Sequence, residues 1–448
     1  RNQPSRNSNL RFLYEDLKVI FIDEISMVGS DMLAKINFRL QDIMGNTEFM
    51  GGVSIVCTGD FGQLPPVGQQ MAWSTSFLDN RIDISPKHWE AFKIYFLTEK
   101  MRSQDEEFSI ICDEVRKGVC DEKVTEYLKK HVGTCSSEND NEKYASGKFS
   151  IIVTNNKARE AINNEKLEKL LPHKKTYYSN AIDKSTNNPN APVISPKLPL
   201  TRTGQLQTKI LFKEDAPVMI TSNHPKSKYK NNGLVNGARG FIDSIQASVT
   251  DPDVAQVVWV RFTDDKIGQL LRIDSCALLQ HHTPRDPLSV PITKQKKPFQ
   301  GRGNTAYLRD QFPLTLCYAV TAHKSQGQTL EEVLIDYSDE GRINNGSFYT
   351  AMSRVKFGKN LYLKDFKTEY VKANPEVEKK MAAMKMFNKH LFKKTYNTES
   401  IFISDEEEIK VGYININDIY ESKSTTFINK DSNLLAIDFL VLADTRLS

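Results

Sequence analysis

The chain has 448 residues, of which 39% are apolar and 26% charged, with a net charge of only +4. That length is too great for one ordinary domain and calls for two to four. The small net charge excludes a global basic field, so nucleic-acid binding would have to come from local patches.

Residues 1–17 are polar, then amphipathic, and lead into Val19-Ile20-Phe21-Ile22-Asp23-Glu24-Ile25-Ser26-Met27-Val28. The apolar start reads as a buried parallel strand. In open α/β sheets ligands sit at the carboxyl ends of such strands. Two adjacent carboxylates there call for a cation. A magnesium nucleotide fits, with Asp23 holding the metal largely through water and Glu24 polarising the attacking water. The alternative is a strand that ends in solvated acids. Ser30 or Asp31 can cap a helix carrying Leu33, Ile36, Leu40 and Ile43, which Gly45 ends. Val53–Cys57 is a second buried strand, running into Gly59-Asp60-Phe61-Gly62-Gln63-Leu64-Pro65-Pro66-Val67, a loop stiffened by its prolines. A third strand, Ile94–Leu97, precedes Thr98-Glu99-Lys100-Met101-Arg102, and helical patterns fill 105–131.

Residues 133–147 are polar and read as a linker. Phe149–Val153 opens a second α/β unit, with Asn155 capping a helix to about residue 170. Residues 172–204, rich in Asn, Pro, Ser and Lys, read as a long loop. From 206 to 310 short β-type runs follow (217–221, 240–245, 257–262, 270–273), which predicts a small β-rich insertion, a barrel. Thr315–Val320 resumes the buried-strand pattern before Thr321-Ala322-His323-Lys324-Ser325-Gln326-Gly327-Gln328. Strand 333–336, short helix 348–355 and strand 361–363 complete this unit, and 367–395 is helical and Lys-rich. No apolar run reaches membrane-spanning length and no signal peptide is visible. The six cysteines form no CxxC pair and no Cys/His cluster of zinc spacing, which suggests free thiols in a reducing compartment. The chain starts at Arg1 and not at Met, and both ends read as cut.

The ordered set IDEISMV, GDFGQLPPV, TEKMR, GLVNGARG, TAHKSQGQTL and YTAMSRVK resembles motifs two to six of the superfamily-one helicases that move five-prime to three-prime, the petite-integration-frequency and RecD-like family, over about residues 10–364. The resemblance implies an α/β fold: two RecA-like lobes, the second interrupted by the β-rich barrel domain, plus a truncated C-terminal α/β unit. The expected division is 1–132 for the first lobe, 148–205 and 311–366 for the second, 206–310 for the insertion, 367–408 for a basic helical linker and 409–448 for the C-terminal unit.

The implied activity is ATP-dependent translocation and unwinding on DNA, with ATP and Mg2+ as cofactors. Single-stranded and forked or structured DNA are the partners, with no membrane, a monomeric state, and a nuclear or mitochondrial setting in DNA repair, recombination and telomere maintenance. By the same resemblance Asp23 and Glu24 serve the metal and the water, and Gln63 senses the γ-phosphate. Arg102 matches the fourth-motif arginine and Arg354 the sixth-motif arginine finger, one in each lobe and both aimed at the transferred phosphate. Asp60, Gln326 and Gly327 lie on the nucleotide, and Pro65, Asn236, His323, Lys324 and Ser325 lie on DNA. For each arginine alone a surface ion pair is the commoner role, and for the histidine a structural one. Lys226, Lys228, Tyr229 and Lys230 interleave charge with a ring, as a strand-binding surface or as a solvated lysine loop.

One departure is severe: the phosphate-cradling GxxxxGK[ST] loop is absent from the 448 residues. The chain therefore reads as a fragment inactive alone, or as a non-catalytic DNA-binding remnant. A weaker resemblance joins Val411–Asn417 and Phe439–Leu447 to an endonuclease/exonuclease/phosphatase-type nuclease, with Ile409–Ile416 and Phe439–Ala443 expected to pair as neighbouring strands. Asn415 and Asp444 would then share a magnesium ion, in a sheet separate from the helicase lobes, and the parent would be a Helitron-type transposon protein. Ordinary strands with polar ends are the alternative.

Overall fold

The computed structural model describes residues 10–74, 76–78, 82–84, 87–97, 102–103, 105–135, 141–186, 198, 200–300, 306–338, 342–386 and 439–444. The chain forms two compact units. One holds Arg1–Tyr127, Ile343–Phe357 and Lys367–Ser448, and the other holds Leu128–Arg342 and Gly358–Phe366.

The first unit is built on β1 (Val19–Ile22) and β2 (Ser54–Gly59), parallel, with Val19 opposite Ser54 and Ile22 opposite Cys57. Both strands read as unbroken apolar runs because Ile20, Ile22, Ile55 and Cys57 are all buried. Between them α1 (Ser30–Met44) turns Met32, Leu33, Ile36 and Leu40 inward and ends on Gly45. Ser30 is its first residue and Gly29 its cap, so neither Ser30 nor Asp31 caps it. After β3 (Lys93–Leu97), α2 (Glu106–Lys117) starts where the Asp105 carboxylate accepts from the Phe108 amide at 3.0 Å.

The second unit opens with a helix inside the expected linker. Asn141–Ala145 is helical, and Tyr144 is buried edge-on against Phe149 at 4.8 Å, because an aromatic in a polar stretch still seeks the core. β4 (Phe149–Val153) and α3 (Asn156–Leu170) follow, with the Asn155 side chain accepting from the Ala158 amide at 2.9 Å as expected. The expected loop 172–204 contains β5 (Tyr177–Asn180) and β6 (Ile182–Ser185). They pair with β7 (Lys209–Phe212) and with a later strand, so long-range pairing overrides the turn-rich composition.

Among the described residues the strands of the β-rich insertion form open sheets, without the closure that the expected barrel calls for. β8 (Pro217–Ile220), β9 (Arg239–Ala247), β10 (Ala255–Phe262) and β11 (Val290–Ile292) join a later strand in an open antiparallel sheet. β12 (Gln295–Gln300) and β13 (Ala306–Gln311) form a second sheet with β6. There a two-point ion pair between Arg309 and Asp183 locks the register. The expected strand over 270–273 lies in the helix Gln269–Asp274. The run expected over 315–320 divides: β14 (Leu314–Leu316) is an edge of the insertion sheet and β15 (Ala319–Thr321) joins the lobe sheet. That sheet is all parallel, in the order β15-β4-β16-β17, with β16 spanning Glu332–Asp336 and β17 spanning Leu361–Leu363. The Asn163 amide fastens α3 beneath it, donating to the Leu316 and Ala319 carbonyls and accepting from the Ala319 amide. The turn after β15 forms α4 (Ala322–Ser325).

Between β16 and β17 the chain leaves this unit. α5 (Ser347–Met352) belongs to the first unit, with all six residues buried. α6 (Glu376–Ala383) and β18 (Lys385–Met386) also belong to the first unit and not to a linker, since Val377, Met381 and Met384 lie in its core. The rest of the expected linker, and Ile409–Ile416 with Asn415, lie outside the described residues. β19 (Phe439–Asp444) was expected beside Ile409–Ile416 in a separate sheet. It lies instead in the first sheet, parallel to β2 on one side and β3 on the other, giving the order β1-β2-β19-β3-β18. An apolar strand there gains hydrogen-bonding partners on both edges, which an isolated hairpin could not offer.

Candidate functional site

The carboxyl ends of β1 and β2 are tied by one carboxylate. Asp23 Oδ1 accepts from the Thr58 hydroxyl at 2.5 Å and from the Glu24 amide at 2.9 Å. Asp23 is exposed and Glu24 half-buried. Glu24 has φ 52° and ψ 48°, left-handed for a residue with a side chain, a conformation costing on the order of 1 kcal/mol.

The loop after β2 is built around buried Asp60. Its Oδ1 accepts from the Gly62 amide at 2.9 Å and from Arg116 Nε and Nη2 at 2.9 and 2.8 Å. Arg116 comes from the last turn of α2 and reaches on to Glu378 of α6 at 3.2 Å. Burial works against the Arg116 charge, but Asp60 more than offsets this and holds it protonated. A side chain at Gly62 would collide with Arg116, its Cβ falling 2.6 Å from Cγ. Phe61 is wedged edge-on against Trp73 and Trp89 at 4.9 and 5.5 Å. Gln63 is buried, Pro66 too, and Pro65 half-buried, so the loop is a packed element.

α5 closes onto this loop. Gly346 precedes it with φ 72°, and a Cβ there would sit 2.3 Å from the Gln63 carbonyl oxygen. Tyr349 is buried, and burial together with Asp60 raises its hydroxyl well above the ordinary range. Arg354 is fully buried, its Nε donating to the Thr350 carbonyl at 2.8 Å and Nη2 to the Ser353 hydroxyl at 2.7 Å. Burial weakens its charge, while Tyr349, Glu24 and Asp60 favour it. Arg102 Nη1 donates to the Ser353 carbonyl at 2.6 Å. The two arginines expected from different lobes therefore meet at the end of one helix in one unit, because α5 is anchored there by its buried face. Asp23, Glu24, Asp60, Gln63, Arg102 and Arg354 all lie in this unit, with Arg116, Tyr349 and Thr58 added to them.

The donor set suits a magnesium ion carried by a nucleotide. Such an ion keeps several waters and needs only one or two carboxylates. Asp23 is exposed for that role, and among the described residues no group of three or more His, Cys, Asp or Glu forms a protein cage.

In the second unit, α4 follows β15. Burial lowers the His323 imidazole, and burial with the neighbouring Arg159 cation pushes Lys324 down to about 8. Ser325 is buried and its hydroxyl donates to the Ala322 carbonyl at 2.8 Å. Gln326 is half-buried and Gly327 exposed. Asn236 is exposed in a turn, its amide donating to Asn223 Oδ1 at 2.9 Å. Tyr229 is buried beneath Lys226 and Lys228, and its hydroxyl and Lys228 both bond Asp274, so the ring is no open stacking platform. Asp444 ends β19; no ligand role for it follows from that position.

Arg116 was not legible as a site residue, since a cation in the last turn of a helix ordinarily answers the helix dipole. Tyr349 was visible in YTAMSR but carried no chemistry by itself.

Residues 3–126 match the family model of the PIF1-like helicases. The ATP-dependent DNA helicase PIF1 of Xenopus laevis is 28% identical over 377 residues, covering 83% of this chain and 50% of that protein. The chain thus spans about half the length of that relative. The crystal structure of Pif1 helicase from Candida albicans superposes with a TM-score of 0.61 at 22% identity, covering 84% of this chain and 78% of that one. Bacteroides Pif1 bound to ssDNA gives 0.57 at 21%, covering 89% and 80%, and these two likenesses establish a RecA-like α/β fold. In family model, sequence and fold alike, the chain is similar to the PIF1-like helicases.

Proposed function

We propose that the parent protein is an ATP-dependent DNA helicase that moves five-prime to three-prime on single-stranded DNA, and that this chain carries its hydrolytic acids and arginines without its phosphate loop. The observation that carries the reading is the assembly within one unit of the strand-end acids, the Asp60–Gln63 loop and the two arginines. The relatives' names, ATP-dependent DNA helicases, support it.

Asp23 would hold the magnesium of the nucleotide through water, and the ion would supply charge neutralisation on the phosphates. Glu24 orients and deprotonates the attacking water. Arg354 and Arg102, already held by the backbone of the α5 end, supply positive charge to the transferred phosphate. Single-stranded and forked DNA are the proposed substrates, by analogy with the relatives, and the nucleus or mitochondrion the proposed setting. A second reading, a nucleic-acid-binding remnant that hydrolyses nothing, is favoured by one observation: the 448 residues contain no GxxxxGK[ST]. The nuclease and transposon reading rests on Asn415 and Asp444 and gains no support from the position of β19.

The test is DNA-stimulated ATP hydrolysis by this chain and by a longer one that includes the upstream coding sequence. The 448-residue chain is expected to be inert. The longer one is expected to turn over, and Glu24→Gln to remove about two to four decades of its rate. Robust turnover by the 448-residue chain, or near-normal turnover after Glu24→Gln, would overturn the assignment. An inert longer chain would select the remnant.

A further inference from the structure

α3 carries a cation where its sequence pattern asks for core. Arg159 lies one turn before Asn163, on the face that Asn163 fastens to β14 and β15, and is only 4% exposed. Its Nε has no hydrogen-bond partner. A guanidinium nitrogen taken out of water without an acceptor is costly, and burial accordingly lowers the affinity of Arg159 for the proton. The residue opens on a cleft of about 170 Å3 between α3, β7 and β14. Asn164, Gln207 and Lys209 also line it, with Glu160 at its exposed rim. Gln207 is aligned by its bond to the Thr315 hydroxyl at 2.9 Å. The Arg159 charge adds to burial in lowering the affinity of Lys324 for its proton, so the two cations repel each other.

We infer that this cleft is an anion subsite for a phosphodiester group of single-stranded nucleic acid, held by the Arg159 guanidinium at its base, with Lys209 on its wall and Lys324 nearby. The inference rests on the nucleic-acid reading of the second unit and adds a site to it. A phosphate supplies the acceptor that Arg159 Nε lacks, and an arginine meets a phosphate with two parallel bonds. Glu160 repels the anion from the rim, so the phosphate seats on the arginine side of the cleft. No base edge need be read, and binding there is indifferent to sequence.

The experiment is fluorescence anisotropy of a labelled oligo-dT with the 448-residue chain, across a salt series. Wild type is compared with Arg159→Gln, Arg159→Lys and Lys169→Ala, a control on the exposed face of the same helix. Arg159→Gln should weaken binding about tenfold, the size of a lost charged hydrogen bond. It should also make the log-affinity against log-salt slope less negative by about one. Lys should restore the slope, and Lys169→Ala should change neither. Arg159→Gln should melt no lower than wild type, since it removes a desolvated charge. An unchanged affinity and slope in Arg159→Gln would overturn the subsite and leave the nucleic-acid reading standing. Wild type that fails to bind would overturn both. Weaker binding with an unchanged slope would assign Arg159 a packing role and overturn the subsite.

Discussion

At the scale of single residues, four side chains carry testable charge or strain. Glu24 is held left-handed, so Glu24→Gly should stabilise the first unit by about 0.5–1 kcal/mol while removing the proposed base. Urea unfolding measures this, and a loss of stability would show that the carboxylate's own contacts outweigh the backbone strain. Asp60 and Arg116 form a nearly water-free pair, their side chains 1% and 12% exposed. Removing either partner alone should cost about 3–5 kcal/mol, and the double variant distinctly less than the sum. Additive losses in that cycle would mean that the two residues stabilise independently. Lys324 gives a pH dependence with a definite sign. Its folded value of about 8 lies below that of a free lysine, so the unfolded chain binds more protons between pH 8 and 10.5 and the folded state gains from this group as pH rises. Nucleic-acid binding goes the other way, since the cation is lost as pH rises through 8. Affinity for oligo-dT should fall between pH 7 and 9, and Lys324→Met should flatten that profile. The motif residues were legible as chemistry because acids at a strand end and arginines near a phosphate have few other uses together. Arg116 and Arg159 were not, because a lone helical arginine has many.

At the scale of elements, legibility followed burial. β1, β2, β4 and the Asn155-capped α3 were clear, since an apolar run covered on both faces or a side-chain cap leaves a local signature. β5 and β6 carry no local strand signature, because their polar alternation is justified only by partners far along the chain, such as Arg309 opposite Asp183. The segment 270–273 is a short apolar run that serves equally in a strand and in the helix it forms. α5 was legible as a helix but not in its placement. Gly346 sets that placement, with φ 72° and no room for a Cβ against the Gln63 carbonyl. Gly346→Ala should therefore destabilise the first unit by more than about 1–3 kcal/mol, since strain and clash act together. Its crystal structure or amide spectrum should show the 60–66 loop displaced. A stable Gly346→Ala with an unmoved loop would mean that α5 is positioned by its buried side chains alone.

At the scale of the molecule, the two units have separate cores, and the chain is longer than most that unfold in one step. The three tryptophans report on them unequally: Trp73 and Trp89 lie in the first core and Trp259 in the second unit. A Trp259→Phe protein thus leaves intrinsic fluorescence as a reporter of the first unit, and far-ultraviolet circular dichroism reads both. The first sheet owes its continuity to β19, which comes from residues 439–444 and separates β2 from β3. Val441 stands opposite Cys57 on one side and Ile94 on the other. Proline there has no amide hydrogen to give the ladder and leaves a carbonyl in the middle of the sheet without its donor, a loss of about 1–3 kcal/mol. In the Trp259→Phe background, Val441→Pro should lower the fluorescence midpoint in urea. The part of the circular dichroism change that arises from the second unit should stay in place. Coincident shifts in both signals would show that the two units unfold as one. An unmoved fluorescence midpoint would show that the first sheet holds without β19.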